Sequence, residues 1–137
     1  MNLLIKKYLL TGIPALFLAI TVLSCSKESG TGGNSTIYGK VYVKDYNAAF
    51  TVLEDEYYGQ DEEVYLIYGD DRSYSEHINT TYNGSFEFKY LRPGTYHLYC
   101  YSKDSTLLTK AMVPIVRDVT IDKKKQETEV PEIVIFK

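Results

Sequence analysis

The residues best equipped for chemistry lie between Asp45 and Glu63. Glu54, Asp55, Glu56, Asp61, Glu62 and Glu63 surround Tyr57-Tyr58-Gly59. Carboxylates at this density could hold a hard cation or meet a basic partner, and two tyrosine rings offer broad, stiff contact area. The spacing matches no EF-hand pattern, so calcium is not specifically indicated. The stretch reads as a candidate binding loop of Glu54, Asp55, Glu56, Tyr57, Tyr58 and Asp61. The alternative is a solvated acidic loop or an extra edge strand, since acidic runs usually belong to the surface. A structureless connection of this length would itself be unusual.

The rest of the chain offers little to a catalyst. The two histidines are His77 and His97. Neither stands in an H-x-x-E, H-E-x-x-H or paired-ligand spacing, so no metal site and no zinc peptidase is expected. Glu76 and His77 are neighbours in a strand-like run, point to opposite faces and make a poor dyad. There is no G-x-S-x-G and no P-loop. Neither an enzyme nor a cofactor is expected. The net charge is −3, and Lys6 and Lys7 are the only charges before Cys25. Without a basic stripe, nucleic acid is excluded as a partner.

Residues 1–24 read as a targeting segment. Lys6 and Lys7 form a basic start, and Tyr8 to Leu23 is a mostly apolar run interrupted by Gly12 and Pro14. A bilayer span takes about 20 apolar residues, so this run is short for a permanent anchor and fits a secretory signal. Val22-Leu23-Ser24-Cys25 resembles the lipobox of bacterial lipoproteins, with Val in place of the commoner Leu. The resemblance implies that Cys25 is lipidated and becomes the mature N-terminus. A single acyl chain anchors only marginally at about 0.8 kcal/mol per buried CH₂; the three chains usual for such lipoproteins would hold essentially permanently. Lys27-Glu28 resembles a sparse form of the acidic surface-export signal of Bacteroidota-type lipoproteins. That implies an outer-membrane protein facing the cell exterior, with the membrane as its partner through the lipid. Residues 25–36 hold the Cys and a tether without apolar residues, of root-mean-square span about 17–20 Å. With Cys25 acylated, Cys100 has no disulfide partner and reads as a small core residue.

Asp104-Ser105-Thr106 resembles the D-[S/T]-[aliphatic or T] acceptor of Bacteroidota-type periplasmic O-glycosylation. The resemblance implies a glycan on Ser105 in an exposed connection. The alternative is a plain turn, which Asp and Ser favour through local hydrogen bonds.

The elements that must position these residues are strands. The 14 tyrosines and the absence of Trp suit an all-β chain. Ile37, Gly39, Val41 and Val43 alternate along a first strand, so the folded domain is expected over residues 37–137. Val64 to Tyr68 is short and nearly all apolar, and Ser73 to Tyr82 is a polar edge or surface strand. Asn83-Gly84 is a turn signal. Phe86 and Phe88 then alternate with Glu87 and Lys89; Arg92-Pro93-Gly94 breaks the run; and Tyr96, Leu98 and Cys100 resume it on one face. Leu107 to Val116 is ambiguous because Pro114 denies a ladder its donor. Val119 to Ile121 and Val130 to Phe136 close the chain, with Lys123 to Thr128 a polar connection. About seven short strands predict a two-sheet sandwich. Phe86, Phe88, Leu91, Tyr96 and Leu98 are the expected core.

Residues 37–137 resemble the carboxypeptidase-regulatory-like, or transthyretin-like (prealbumin-like, Ig-like), β-sandwich family. The matching residues are Ile37, Gly39, Val41, Val64 and Leu66, and above all the run Gly84, Phe86, Phe88, Leu91, Pro93, Gly94 and Tyr96. The family's first two strands are joined by a short connection, whereas Asp45 to Glu63 is long. The resemblance implies a small extracellular module without catalytic residues, accessory to an adhesive or nutrient-capturing assembly. A second expectation is a carbohydrate-binding module of starch-binding-like type, with Tyr38, Tyr42, Tyr65, Tyr99 and Tyr101 as stacking platform. Coplanar exposed rings in a concave site would favour sugar; scattered rings on a convex surface would favour a protein partner.

Overall fold

The computed structural model describes residues 28–137, and Cys25 and the expected targeting segment lie outside the described residues. Nine strands follow one another: β1 (Thr31–Tyr46), β2 (Leu53–Tyr58), β3 (Glu63–Tyr68), β4 (Glu76–Asn79), β5 (Ser85–Leu91), β6 (Gly94–Ser102), β7 (Val113–Ile121), β8 (Glu127–Glu129) and β9 (Ile133–Phe136). They form two sheets of five and four strands, the expected two-sheet sandwich with two strands more than expected.

β1 is the centre of the five-stranded sheet. β2 and β5 pair with it antiparallel, and β8 and β9 pair with it parallel. Hydrogen bonds place these pairs on opposite flanks. Val41 bonds Gly84 and Gly59 on one side, while the Tyr38 carbonyl accepts from Val130 on the other. The four-stranded sheet runs β4-β3-β6-β7.

The alternation read from the sequence fixes which faces meet. Ile37, Val41 and Val43 of β1, Phe86 and Phe88 of β5, and Ile133 and Ile135 of β9 are buried against Val64, Leu66, Tyr96, Leu98, Cys100 and Ile121. All five expected core residues are buried. Tyr96 is fully buried yet keeps its hydroxyl satisfied. It donates to the Arg92 carbonyl at 2.7 Å and accepts the Gly30 N–H at 3.0 Å.

Three boundaries differ from expectation. β1 begins at Thr31 rather than Ile37, so part of the expected tether is strand. Its polar residues hold by backbone approach: a Cβ on Gly33 would meet the Leu91 carbonyl oxygen at 2.0 Å. β7 runs unbroken through Pro114 to Ile121, because β7 lies at the end of its sheet, where a missing donor is tolerated. Glu127–Glu129 forms β8 where a connection was expected, and Pro131 lies between β8 and β9. The Asn83-Gly84 turn forms as expected: Gly84 has φ +75, and Asn83 Oδ1 accepts from the Thr81 and Ser85 hydroxyls, each at 2.6 Å.

Candidate functional site

The acidic stretch is a strand for most of its length. β2 bonds to β1 and is exposed from Leu53 to Tyr58, so of the readings offered for this stretch the extra edge strand is the one that forms, not a loop. Its six candidate residues do not converge. Cross-strand partners share a face, so Tyr57, opposite the buried Val43, and Asp55, opposite Asp45, face the inner side. Glu56 and Tyr58 face outward, Glu54 falls at a register shift between Asp55 and Leu53, and Tyr58 carries the ammonium of Lys40 at 4.6 Å from its ring centre. Asp61 sits beyond in the β2–β3 turn, where its Oδ1 accepts from Asn79 Nδ2 at 2.7 Å. Among the described residues, no three His, Cys, Asp or Glu side chains are placed to hold a metal.

The tyrosine platform is divided. Tyr38 and Tyr42 lie on the outer face of the five-stranded sheet, and Tyr65, Tyr99 and Tyr101 on the outer face of the other. The second group forms a cluster. Tyr65 is directly opposite His77 on β4 and Tyr99 on β6. Tyr65 and Tyr99 stack at 4.9 Å with 10° between planes, and His77 covers the Tyr65 ring at 5.7 Å. Tyr101 meets Tyr65 and Tyr99 edge-on at 5.7 and 5.4 Å, and Tyr74 meets Tyr65 edge-on at 5.1 Å. Parallel rings here are stacked upon each other rather than laid side by side. Tyr65 therefore spends both faces internally, while Tyr74 and Tyr101 remain nearly half exposed.

Tyr74 and His77 were not recognised as members of this site. The only signal was the β-prone run Ser73 to Tyr82, which leaves the strand partner unknown. Register with β3 brings in His77, and Tyr74, just before β4, joins through its ring contacts with Tyr65 and His77.

Within the cluster, the Tyr65 hydroxyl donates to Glu63, which pushes its pKa up to about 12, and burial raises Tyr99. Tyr68, on the same strand but packed against the core, is raised by burial and by donation to Glu76. Beside the cluster opens a cleft of about 420 Å³, where Tyr65 and Tyr101 stand with Asp61, Glu63 and Asn79. Cys100 lies at its floor, buried as expected. Burial and the nearby Glu62 charge push its thiol up to about 12, a poor nucleophile at neutral pH. His97 Nδ1 and Asp118 Oδ1 are 2.5 Å apart on the same outer sheet face, a pair that no motif announced.

Ser105 lies exposed in the connection between β6 and β7. Asp104 ties that connection down, accepting the Thr106 N–H at 2.9 Å and the Thr109 N–H at 3.0 Å. The Thr106 hydroxyl and these N–H donors hold the Asp104 carboxyl below its usual range.

No family model and no curated protein matches the chain. Among solved structures, one that aligns with it is the crystal structure of a candidate carbohydrate-binding protein from Pseudomonas aeruginosa. The two share 14% identity over 80% of this chain and 92% of that one, with a TM-score of 0.46.

Proposed function

We propose that this protein is a lipid-anchored, surface-exposed, non-catalytic interaction module, accessory to an adhesive or nutrient-capturing assembly. Its contact face is the outer surface of the β4-β3-β6-β7 sheet. The observation that carries this reading is the cluster of Tyr65, Tyr74, His77, Tyr99 and Tyr101 on one sheet face. Large rings with few rotatable bonds make contact area at low entropic cost, and aromatic groups are enriched where proteins bind. The stacked core of the cluster is pre-organised, so little ordering remains for the moment of binding.

A carbohydrate partner is the second reading. It is favoured by the cleft in which two rings stand beside three carboxylates and an amide, a mixture suited to the apolar faces and hydroxyls of a sugar. Against it stands the stacking of Tyr65 between His77 and Tyr99, which leaves Tyr101 as the ring with a free face there.

A glycan array and crosslinking on intact cells, run in parallel with wild type, Tyr74→Ala plus Tyr101→Ala, and Tyr38→Ala, test both. The double variant should lose its ligand while Tyr38→Ala keeps it. A ligand retained by the double variant would end the proposed contact face. The anchor rests on the lipobox resemblance at Cys25, and Cys25→Ser should release the protein from membranes or leave the precursor uncleaved. Ser105 is the proposed O-glycan site, supported by its exposed turn; Ser105→Ala in the native host should remove a glycan-sized mass.

A further inference from the structure

The start of the described chain is bound tightly to one end of the sandwich. Ser29 Oγ donates to the Thr95 carbonyl at 2.6 Å, and Gly30 is buried with its N–H on the Tyr96 hydroxyl. Arg92 closes over this segment: its N–H bonds the Gly30 carbonyl at 2.8 Å and its Nε bonds the Thr31 carbonyl at 2.6 Å. A Cβ on Gly94 would stand 3.0 Å from the Ser29 backbone. Cys25 is four residue steps from Ser29, which bounds their separation at about 14 Å.

That end also carries the densest positive charge of the described residues. Lys123, Lys124 and Lys125 are consecutive and exposed in the β7–β8 turn, flanked by the exposed Asp122 and Glu127, and none of the ion pairs at Lys89, Arg92, His97 and Lys137 takes up their charge. The turn follows Ile121, which stands opposite Gly94, next to Ser29. It is clamped to β1: the Ser35 hydroxyl donates to the Lys123 carbonyl at 3.0 Å, and Lys125 N–H bonds Asn34 Oδ1 at 3.0 Å. On the far side of the same end, the β3–β4 connection holds Asp70 and Asp71 with Arg72, so the charge there is not positive.

We propose that this end is a membrane-docking surface, with the β7–β8 turn seated on anionic lipid headgroups. The proposal rests on the lipid anchor at Cys25 read above. A leash this short lets the turn come within a Debye length of the headgroups, where lysine attraction is felt. Because the lysines lie on the β7 side and the aspartates on the β3–β4 side, the domain tilts with β7 toward the bilayer. The opposite end, with Lys103 and Lys110, then stands clear of the membrane; β1 alone is on the order of 50 Å long.

The test is an amine-acylation footprint of the full lipidated protein, purified from membranes and read by mass spectrometry. It is compared in detergent, in phosphatidylcholine vesicles, and in phosphatidylcholine vesicles containing phosphatidylglycerol. In the anionic vesicles, labelling of Lys123, Lys124 and Lys125 should fall several-fold relative to detergent and recover in high salt, while Lys103 and Lys110 stay unchanged. Equal labelling at both ends, or the same protection in neutral vesicles, overturns the docking surface. A purified chain with no lipid mass at Cys25 sinks the anchor instead. The same footprint, on chain coupled through Cys25 to a maleimide phospholipid, then judges the docking surface independently.

Discussion

On the outer face of the five-stranded sheet, Tyr38, Tyr42 and Tyr58 are interleaved with Lys40, Lys44 and Glu56. On the outer face of the four-stranded sheet, Tyr65 and Tyr99 stand opposite each other, with His77 opposite Tyr65. The residue type is the same and the backbone is the same. What differs is the residue that register sets across the strand gap. On the five-stranded sheet Tyr38 faces Glu87, and Tyr42 meets one ring, Tyr58, edge-on at 5.2 Å with Lys40 over it, so the aromatic contact stops at a pair. A ring on both sides, as at Tyr65, gives a continuous aromatic surface. Function on a sheet face is thus a property of pairs, and one strand's sequence holds only half of each.

The largest expected effect removes what both faces share. Phe88 is buried between the sheets, and Phe88→Ala should cost about 3–5 kcal/mol out of the 5–15 kcal/mol typical of such a domain. The melting temperature should fall by roughly 10–20 °C in a thermal scan. An unchanged melt would mean that the two faces do not rest on a common core.

Next come the faces themselves. Tyr99→Ala removes a stacked and an edge-on partner at once and should cost about 1–2 kcal/mol in urea unfolding. Lys40→Ala on the other face removes one exposed cation–π contact, worth about 0.5–1 kcal/mol. Equal losses would erase the distinction between a continuous and an interrupted surface.

The smallest effect is spectroscopic. Tyr65 is raised to about 12 in the folded protein by its bond to Glu63, and an unfolded phenol ionises near 10. A raised folded pKa gives stability that is complete below the unfolded value and lost as pH climbs through the folded one. In an alkaline titration followed by tyrosinate absorbance, a late fraction that includes the half-buried Tyr68 should therefore appear above pH 11 or so, and Glu63→Gln should shrink it by one tyrosine. If Glu63→Gln leaves the late fraction undiminished, burial rather than the carboxylate is the cause at Tyr65.

The core was legible because burial on one side imposes a period of two. Phe86, Phe88, Tyr96 and Leu98 could hardly be read otherwise. β2 was legible only as an alternative to a loop, and β8 was hidden, for the converse reason. β2 is exposed on both sides, so nothing selects apolar residues at alternate positions, and Glu127-Thr128-Glu129 is too short for any pattern. The first residues of β1 escaped because Gly33 packs by lacking a side chain, and composition reads that as a tether. The aromatic cluster was half legible. Tyr65, Tyr99 and Tyr101 were singled out, but with Tyr38 and Tyr42 from the opposite sheet. Sheet membership depends on long-range pairing that no local window contains.

One pairing sets a timetable. Val41 to Lys44 of β1 lie beside Ile133 to Phe136, almost the whole domain later in the chain. The central strand therefore lacks one flank until the last residues have arrived. Contacts this distant in sequence are entropically costly to close and make for slow folding. A chain crossing a membrane N-terminus first would present its opening strand half-paired throughout transit. It must stay unfolded, and be kept from pairing with its neighbours, until its final strand is through.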